Sequence, residues 1–360
     1  MKIAHIIPTL NAGGAEKLIY DSAQYYSELG YQVDVIVLRT TDSFFLHDLK
    51  KKINVIELGK GSVYNPFHIF KLKKYLINYD LIHLHLFPVL YFCVFAKLLF
   101  GLKTLLVYTE HSTSNKRRNN LFFQTIDRWV YSKLNFIGCI SNGTRINLIN
   151  HLGTVPVPID TIHNGVDLHV FKDSFLNQRR FFSENDFVLV QVSSFRIEKD
   201  QKTLIRSLKR LNDEIKLILV GEGSLRKECE SLVSELDLNN RVIFLGIRND
   251  IPLILSESNV VILSSNIEGF GIAIVEGMAM GKPVIASNID GLNDVVKDYG
   301  LLFEKGNDLE LASHINKLYS NTLFYADVSK RCFERSQDFD IRKMVDSYSQ
   351  IYKTLIRNNK

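Results

Sequence analysis

The chain of 360 residues reads as an α/β protein of two domains, each a doubly wound parallel sheet. Three observations lead there. β-branched runs alternate along the chain with stretches whose apolar residues recur at helical spacing. Glycine-containing loops follow several of these runs, at 13–14, 221–223 and 269–271. The alternation breaks at Val155-Pro156-Val157-Pro158 and His163-Asn164-Gly165-Val166-Asp167, where two prolines and an Asn-Gly turn mark a linker. The length allows two cores, one on each side of that linker.

Composition narrows the class. A hydrophobic content of 46% with 23% charged residues is that of a soluble globular protein. A formal charge of +5 is too small to argue for nucleic acid, yet it suits an anionic membrane surface. Cys93, Cys139, Cys229 and Cys332 are scattered without the paired spacing of a metal or redox motif, so they read as buried structural thiols in a reducing cytoplasm. Met1 leads straight into an apolar strand rather than a signal peptide. The most apolar segment, 84–107, is interrupted by Pro88, Lys97, Gly101 and Lys103, and is expected to be a buried helix followed by a strand.

The first domain is expected over 1–161. It opens with the strand Ile3-Ala4-His5-Ile6-Ile7, then the loop 8–16, then an apolar stripe through Ala15, Leu18, Ile19, Ala23 and Leu29 that stops at Gly30. Gly13 and Gly14 thus sit between a strand and a helix, where backbone amides can meet phosphate. A tight structural turn explains such a pair equally, and the Gly-x-Gly-x-x-Gly spacing of a dinucleotide fingerprint is missing. Residues 33–38 form the second strand and 81–85 a later one, on which His83 and His85 share a face as a packed or hydrogen-bonded pair. The strand 104–109 ends in Glu110-His111-Ser112. Ligands of open α/β sheets bind beyond the carboxyl ends of strands, so His111 is either a site residue or a structural histidine. The basic loop 114–120, before a helix containing Trp129, is either solvated or in contact with an anionic acceptor or lipid headgroups. The strand 135–140 is expected to close the first sheet, with Ser141 capping the next helix.

The second domain is expected over 162–340. Its first strand, Phe187–Val192, runs into Ser193-Ser194-Phe195-Arg196-Ile197-Glu198-Lys199-Asp200 and a helix whose apolar face is Leu204, Ile205 and Leu208. Arg196 and Lys199 stand where cations neutralise a diphosphate, unless they are solvated loop charges. Strands at 216–220 and 242–245 follow, the latter leading into Gly246-Ile247-Arg248. Val260–Leu263 is a continuous apolar run that reads as a buried parallel strand, and 284–286 is the next. Between them Ile272, Val275 and Ala279 recur at helical spacing, with Gly281 and Pro283 as a stop. The helix opens near Gly271, so glycine amides and a positive helix end face any phosphate bound there. Glu268 lies in the loop. Glu276 lies in the helix's second turn, and its side chain leans back toward the N-terminus. Carboxylates so placed can accept from paired sugar hydroxyls, although an isolated pair of this kind is also common on ordinary core helices. Two helical stretches are expected to complete the chain, the last at 341–356.

Glu268, seven intervening residues and Glu276, inside EGFGIAIVEGMAMGKPVIAS, resemble the signature of the retaining glycosyltransferases of family 4. The resemblance implies a GT-B fold, in which two Rossmann-like domains face a cleft whose closure excludes water, and 341–360 crosses back onto the first domain. It implies a nucleotide-diphosphate sugar, a UDP- or GDP-sugar, as donor and a hydroxyl acceptor. Asn11-Ala12-Gly13-Gly14-Ala15-Glu16 is similar to the family's first loop, which sets Gly13 and Gly14 against the donor phosphates. The Tyr108-Thr109-Glu110-His111 run resembles the segment whose histidine faces the transferred sugar. Lys199 matches a phosphate-binding lysine. The family's arginine falls at Ser194, and Arg196 takes over its charge here. Gly246 and Ile247 stand where backbone holds the base. Glu268, Gly269, Phe270, Gly271 and Ile272 form the donor loop, and Glu276 takes the ribose. Asp290-Gly291-Leu292-Asn293-Asp294 departs from the family's Gly-Gly and glutamate.

The implied chemistry is transfer with retention, by same-face attack in which the leaving phosphate takes the acceptor's proton. His111, Arg196, Lys199 and Glu268 are the catalytic candidates. Neither metal nor other cofactor is expected to be required. The expected partner is a lipid-linked or growing cell-surface glycan, and the expected location is cytoplasmic, peripheral at the inner face of the plasma membrane. Three rivals are a nucleotide-sugar epimerase of the same architecture, a nicotinamide-dependent dehydrogenase and a non-catalytic nucleotide-sugar-binding partner.

Overall fold

The computed structural model describes residues 1–11, 13–113, 120–172 and 181–359, without the side chains of 121 and 172. The basic run at 114–119 lies outside the described residues. The chain divides into two compact units, one formed by Met1–Gly165 with Ile341–Lys360 and the other by Val166–Asp340.

In the first unit the strands are β1 (Lys2–Ile7), β2 (Gln32–Val37), β3 (Asn54–Glu57), β4 (Leu81–His85), β5 (Leu105–Glu110), β6 (Phe136–Cys139) and β7 (Ile159–Thr161). They form a parallel sheet in the order β3-β2-β1-β4-β5-β6-β7. Helices cover both faces, which is why β1, β4 and β5 are buried along nearly their whole length rather than at alternate positions. One face packs Ile6, Leu84 and Leu106 against the helices His68–Leu76, Val89–Leu99 and Asn142–Leu152. The other packs Ile3, Ile7 and Val107 against Gly14–Glu28, Phe44–Lys52 and Ile341–Asn358. The C-terminal helix buries Met344, Val345, Tyr348 and Tyr352 there. At its start a Cβ on Gly165 would run into the Cα of Ile341, so the Asn-Gly turn has a packing reason as well as a conformational one.

The first sheet does not close where the sequence predicts. Its last strand is β7, which pairs with β6, and not the 135–140 strand. β7 is three residues long and follows directly on Pro158, so it offers no periodicity and resembles a linker. It is nonetheless tied in, since the Ile137 N–H donates to the Pro158 carbonyl at 3.0 Å and the Ile162 N–H to Cys139 at 2.8 Å. Ser141 does cap its helix, accepting from the Thr144 N–H at 3.1 Å.

In the second unit β8 (Phe187–Val192), β9 (Ile215–Val220), β10 (Val242–Gly246), β11 (Val260–Leu263), β12 (Val284–Ser287) and β13 (Leu301–Phe303) form a parallel sheet in the order β10-β9-β8-β11-β12-β13. The helix expected near Gly271 runs over Ile272–Ala279. Three long helices, not two, complete the chain: Asp308–Ser320, Thr322–Ser336 and Ile341–Asn358. Asn321 alone separates the first two, and its side chain caps the second by accepting from the Phe324 N–H at 2.9 Å. A one-residue break does not interrupt the apolar periodicity, so the two helices read as one. All four cysteines are free and buried. Among the described residues no helix is long and apolar enough to cross a membrane.

Candidate active site

The strand order of the second sheet reverses between β8 and β11, and ligands of open α/β sheets bind beyond the carboxyl ends of the strands at such a switch point. The loop after β8 (193–200) and the loop after β11 (264–271) meet there. They are laced together by backbone: Asp200 N–H to the Ser264 carbonyl at 2.9 Å, and Asn266 N–H to the Glu198 carbonyl at 2.8 Å. The Ser264 hydroxyl donates to the Asp200 carbonyl at 2.7 Å, and the Asn266 amide to the Ile197 carbonyl at 2.8 Å. Beneath them the fully buried Gln191 accepts from the Ser264 N–H at 3.3 Å and donates to the Ser193 hydroxyl at 3.0 Å. This support was missed by sequence reasoning. Its only trace is a glutamine inside an otherwise apolar strand.

The lacing brings two of the sequence's candidates into contact. The Lys199 ammonium is paired with the Glu268 carboxylate, whose other oxygen accepts from the Gly269 N–H at 3.0 Å. Both side chains are mostly shielded, so the pair is held in place rather than loose in solvent. Arg196 is exposed on the same loop. Glu276 is buried on the helix that follows, the residue as a whole 3% exposed. Gly271 caps that helix with φ +88, and a Cβ there would strike Leu292, so neither its conformation nor its space admits a side chain. Phe270 offers no side chain to a ligand. Its ring is fully buried and sits edge-on to Phe339 with centroids 5.3 Å apart, so only its backbone remains for a ligand. Ile272 begins the helix, and its side chain is half-buried.

Gly246 ends β10 with φ +68, and its carbonyl accepts from the Gly221 N–H at 2.8 Å. Ile247 beyond it is exposed. In the first unit Gly13 is the N-cap of the helix Gly14–Glu28, so both glycines stand at that helix's positive end.

His111 leads into the one feature of the first unit that its sequence does not suggest. His5 from β1, and His83 and His85 from β4, are buried together. His5 Nδ1 lies 3.0 Å from His85 Nε2, and His85 Nδ1 lies 3.1 Å from His111 Nε2. His83 is held separately, by the Tyr352 hydroxyl at 2.6 Å and the Thr109 hydroxyl at 2.6 Å. Ring nitrogens of His5, His83 and His85 converge to within 4.8 Å, close enough in principle for a metal ion. Both nitrogens of His83 are already engaged by hydroxyls, so the cluster is a hydrogen-bonded one. Burial pushes His5 and His111 down to about 3, and His83 and His85 well below the ordinary range, so the rings are neutral. The sequence paired His83 with His85. It missed His5, which lies eighty residues away and joins them only because β1 and β4 are neighbours in the sheet.

The outer face of the same unit exposes a group of large apolar side chains, including Phe67, Phe70, Phe95, Leu98, Leu99 and Trp129. Phe70 packs on Phe100 at 6.0 Å and Phe95 on Trp129 at 5.9 Å. Lysines lie over this surface, Lys73 at 4.6 Å from the Phe100 ring and Lys133 at 5.5 Å from the Trp129 ring.

Comparison with known proteins agrees with this architecture. The profile of Glycosyltransferase Family 4 matches residues 12–170, and that of Glycosyl transferases group 1 matches residues 173–336. The N-acetyl-alpha-D-glucosaminyl L-malate synthase of Bacillus anthracis is 28% identical over 298 residues, covering 79% of this chain and 77% of its own. The UDP-Gal:alpha-D-GlcNAc-diphosphoundecaprenol alpha-1,3-galactosyltransferase of Escherichia coli is 29% identical over 340 residues, covering 88% and 84%. The crystal structure of Anabaena HepE in complex with UDP and glucose superposes with a TM-score of 0.85 at 24% identity, covering 98% of this chain and 99% of that one. The two profiles between them take in the second sheet, the first sheet apart from β1, and the loops that carry Gly13, Gly14 and Gly271. The chain therefore belongs to glycosyltransferase family 4 and is a glycosyltransferase of the GT-B fold.

Proposed function

We propose that the protein moves a sugar from a UDP- or GDP-sugar to a hydroxyl of a lipid-linked or growing surface glycan, with retention and without a required metal. The observation that carries this reading is the loop pair at the switch point, which sets Lys199, Glu268 and Glu276 around a glycine-capped helix start. In the second unit, Arg196, Lys199 and the amides near Gly271 stabilise the departing diphosphate, and in the first unit the amides near Gly13 and Gly14 are the phosphate-facing groups. Glu268 accepts from sugar hydroxyls, Glu276 from the ribose, and His111 orients the transferred sugar. The backbone of Gly246 and Ile247 holds the base, and that of Gly269, Phe270 and Ile272 lines the donor. The bond from the anomeric carbon to the phosphate oxygen breaks as the acceptor oxygen bonds the same face. The acceptor's proton passes to the leaving diphosphate.

The acceptor class is supported by the Escherichia coli relative, whose name gives a diphosphoundecaprenol-linked substrate. The exposed apolar surface at Phe70, Phe95 and Trp129 supports work at an anionic membrane, since the amphipathic ring of tryptophan settles at the headgroup level and each lysine contributes about 1 kcal/mol beside anionic lipid. The test is purified protein with a panel of UDP- and GDP-sugars and an undecaprenyl-diphosphate-linked acceptor, with and without EDTA. Expected is a product heavier by one sugar, α-linked from an α-linked donor, with turnover unchanged by chelation. Conversion of donor without acceptor would identify an epimerase instead. Inversion at the anomeric carbon would overturn the retaining reading.

A further inference from the structure

The path His5–His85–His111 is a line of neutral rings, each able to carry one N–H, running from the core of the first unit to the candidate sugar-facing histidine. At its inner end His5 Nε2 is buried and has no hydrogen-bond partner among the described residues. A neutral ring must leave that nitrogen either as an orphaned N–H or as a bare lone pair. Orphaned buried donors are the rarer and costlier case, so the His5 proton belongs on Nδ1. The choice then propagates. His5 Nδ1–H donates to His85 Nε2, which makes His85 Nδ1 the protonated nitrogen, and this donates to His111 Nε2. His111 is left with its proton on Nδ1, the nitrogen that does not face His85.

We propose that His85, terminated by His5, is a positioning residue that locks His111 in the Nδ1–H tautomer, so that His111 acts as a hydrogen-bond donor to the transferred sugar. The proposal rests on the reading of His111 as the sugar-facing histidine. A hydroxyl can either donate or accept, so without a fixed tautomer His111 would hold the sugar in two alternative hydrogen-bond directions. The buried hydroxyls do not disturb the path, because Tyr352 and Thr109 occupy His83 and not His85.

The experiment is nitrogen NMR of the full chain labelled with 15N-histidine, with His111 assigned by its loss in His111→Gln. The wild type is expected to show a protonated Nδ1 and a bare Nε2 at His111. In His85→Phe, which keeps a ring but no hydrogen bond, His111 is expected to become a mixture of tautomers. His85→Gln is expected to keep the single tautomer, because a carboxamide can accept on one side and donate on the other. Where His85→Phe does not fold, His85→Met, which also fills the space without a ring nitrogen, is expected to give the same mixture. A wild-type His111 with its proton on Nε2, or a single unchanged tautomer in the folded Phe or Met variant, would overturn the proposal. With donor and acceptor present, kcat of His85→Phe is expected to fall about tenfold with donor KM little changed, the pattern of an interaction made in the transition state. The ring nitrogens are read without substrate. A wild-type enzyme that transfers no sugar would therefore refute the functional reading and leave the tautomer result standing on its own.

Discussion

The two units place their candidate groups by different means. In the second, Lys199, Glu268 and Glu276 come from two loops and the helix Ile272–Ala279, and backbone hydrogen bonds between the loops fix them. In the first, His111 is backed by side chains from neighbouring strands, with His5 and His85 beneath it. A backbone-laced site tolerates change in side chains that only fill space, and concentrates its chemistry in a few charged groups. A side-chain-backed site depends on buried polar rings, whose neutrality must be maintained against acid.

The largest effect that would sharpen this contrast is on transfer itself. Lys199→Ala and Glu276→Ala are each expected to lower kcat/KM about a hundredfold while remaining folded, near the upper end for a charge-assisted bond of about 1.5–3 kcal/mol. For Lys199→Ala the effect includes release of Glu268 from its partner, so Lys199→Arg should recover part of the loss. Steady-state kinetics with melting curves for each variant decide the matter. Near-normal turnover in either alanine variant would remove that residue from the proposed site.

The same contrast explains what was legible in the sequence. The second unit's loops are contiguous, and a glycine-rich turn between a strand and a helix has a local signature, so Glu268, Gly271 and Glu276 stood out in one stretch of chain. The parallel sheets were legible because β1, β4, β8 and β11 are buried on both faces and are mostly apolar without polar residues at every second position. β7 and β13 were not, because three residues are too few to show any period. The path from His5 to His111 was illegible for another reason. Its members are set side by side by the pairing of β1 with β4 and of β4 with β5, and strand order is a property of the whole sheet rather than of any segment. Phe270 is the converse case: it lies inside a strong motif, yet its ring is a packing element and only its backbone is left for a donor.

Acid should separate the units next. A histidine kept neutral by burial binds its proton more readily in the unfolded chain, so between the two pKa values the unfolded state holds more protons and stability falls as pH falls. For His5 the window runs from about 6.5 down to about 3. Going from pH 6.5 to 5 therefore costs the first unit up to about 2 kcal/mol from that ring alone. His83 and His85 shift in the same direction and add to it. The chain's single tryptophan, Trp129, lies in this unit, so its fluorescence during urea unfolding reports on the histidine-bearing half. The midpoint is expected to drop steadily between pH 6.5 and 5. A flat profile would mean that the rings are hydrated and charged in the folded protein, and the cluster would lose its claim to neutrality.

The smallest effect concerns Phe270, and it tests the backbone-laced half directly. Its side chain is fully buried against Phe339, on the side of the loop that packs rather than binds. Phe270→Leu keeps most of the apolar volume, and hydrophobic swaps of similar volume cost less than about 1.5 kcal/mol. The variant is expected to melt a few degrees lower while donor KM stays within about twofold, because uniform binding energy is lost only when a ligand contact is lost. Gly271 beside it, with φ +88 and Leu292 standing where a Cβ would project, keeps its geometry in either case. A large rise in donor KM with unchanged melting would show that the ring does reach the ligand, and that the loop is held less firmly by its backbone than its hydrogen bonds to 193–200 imply.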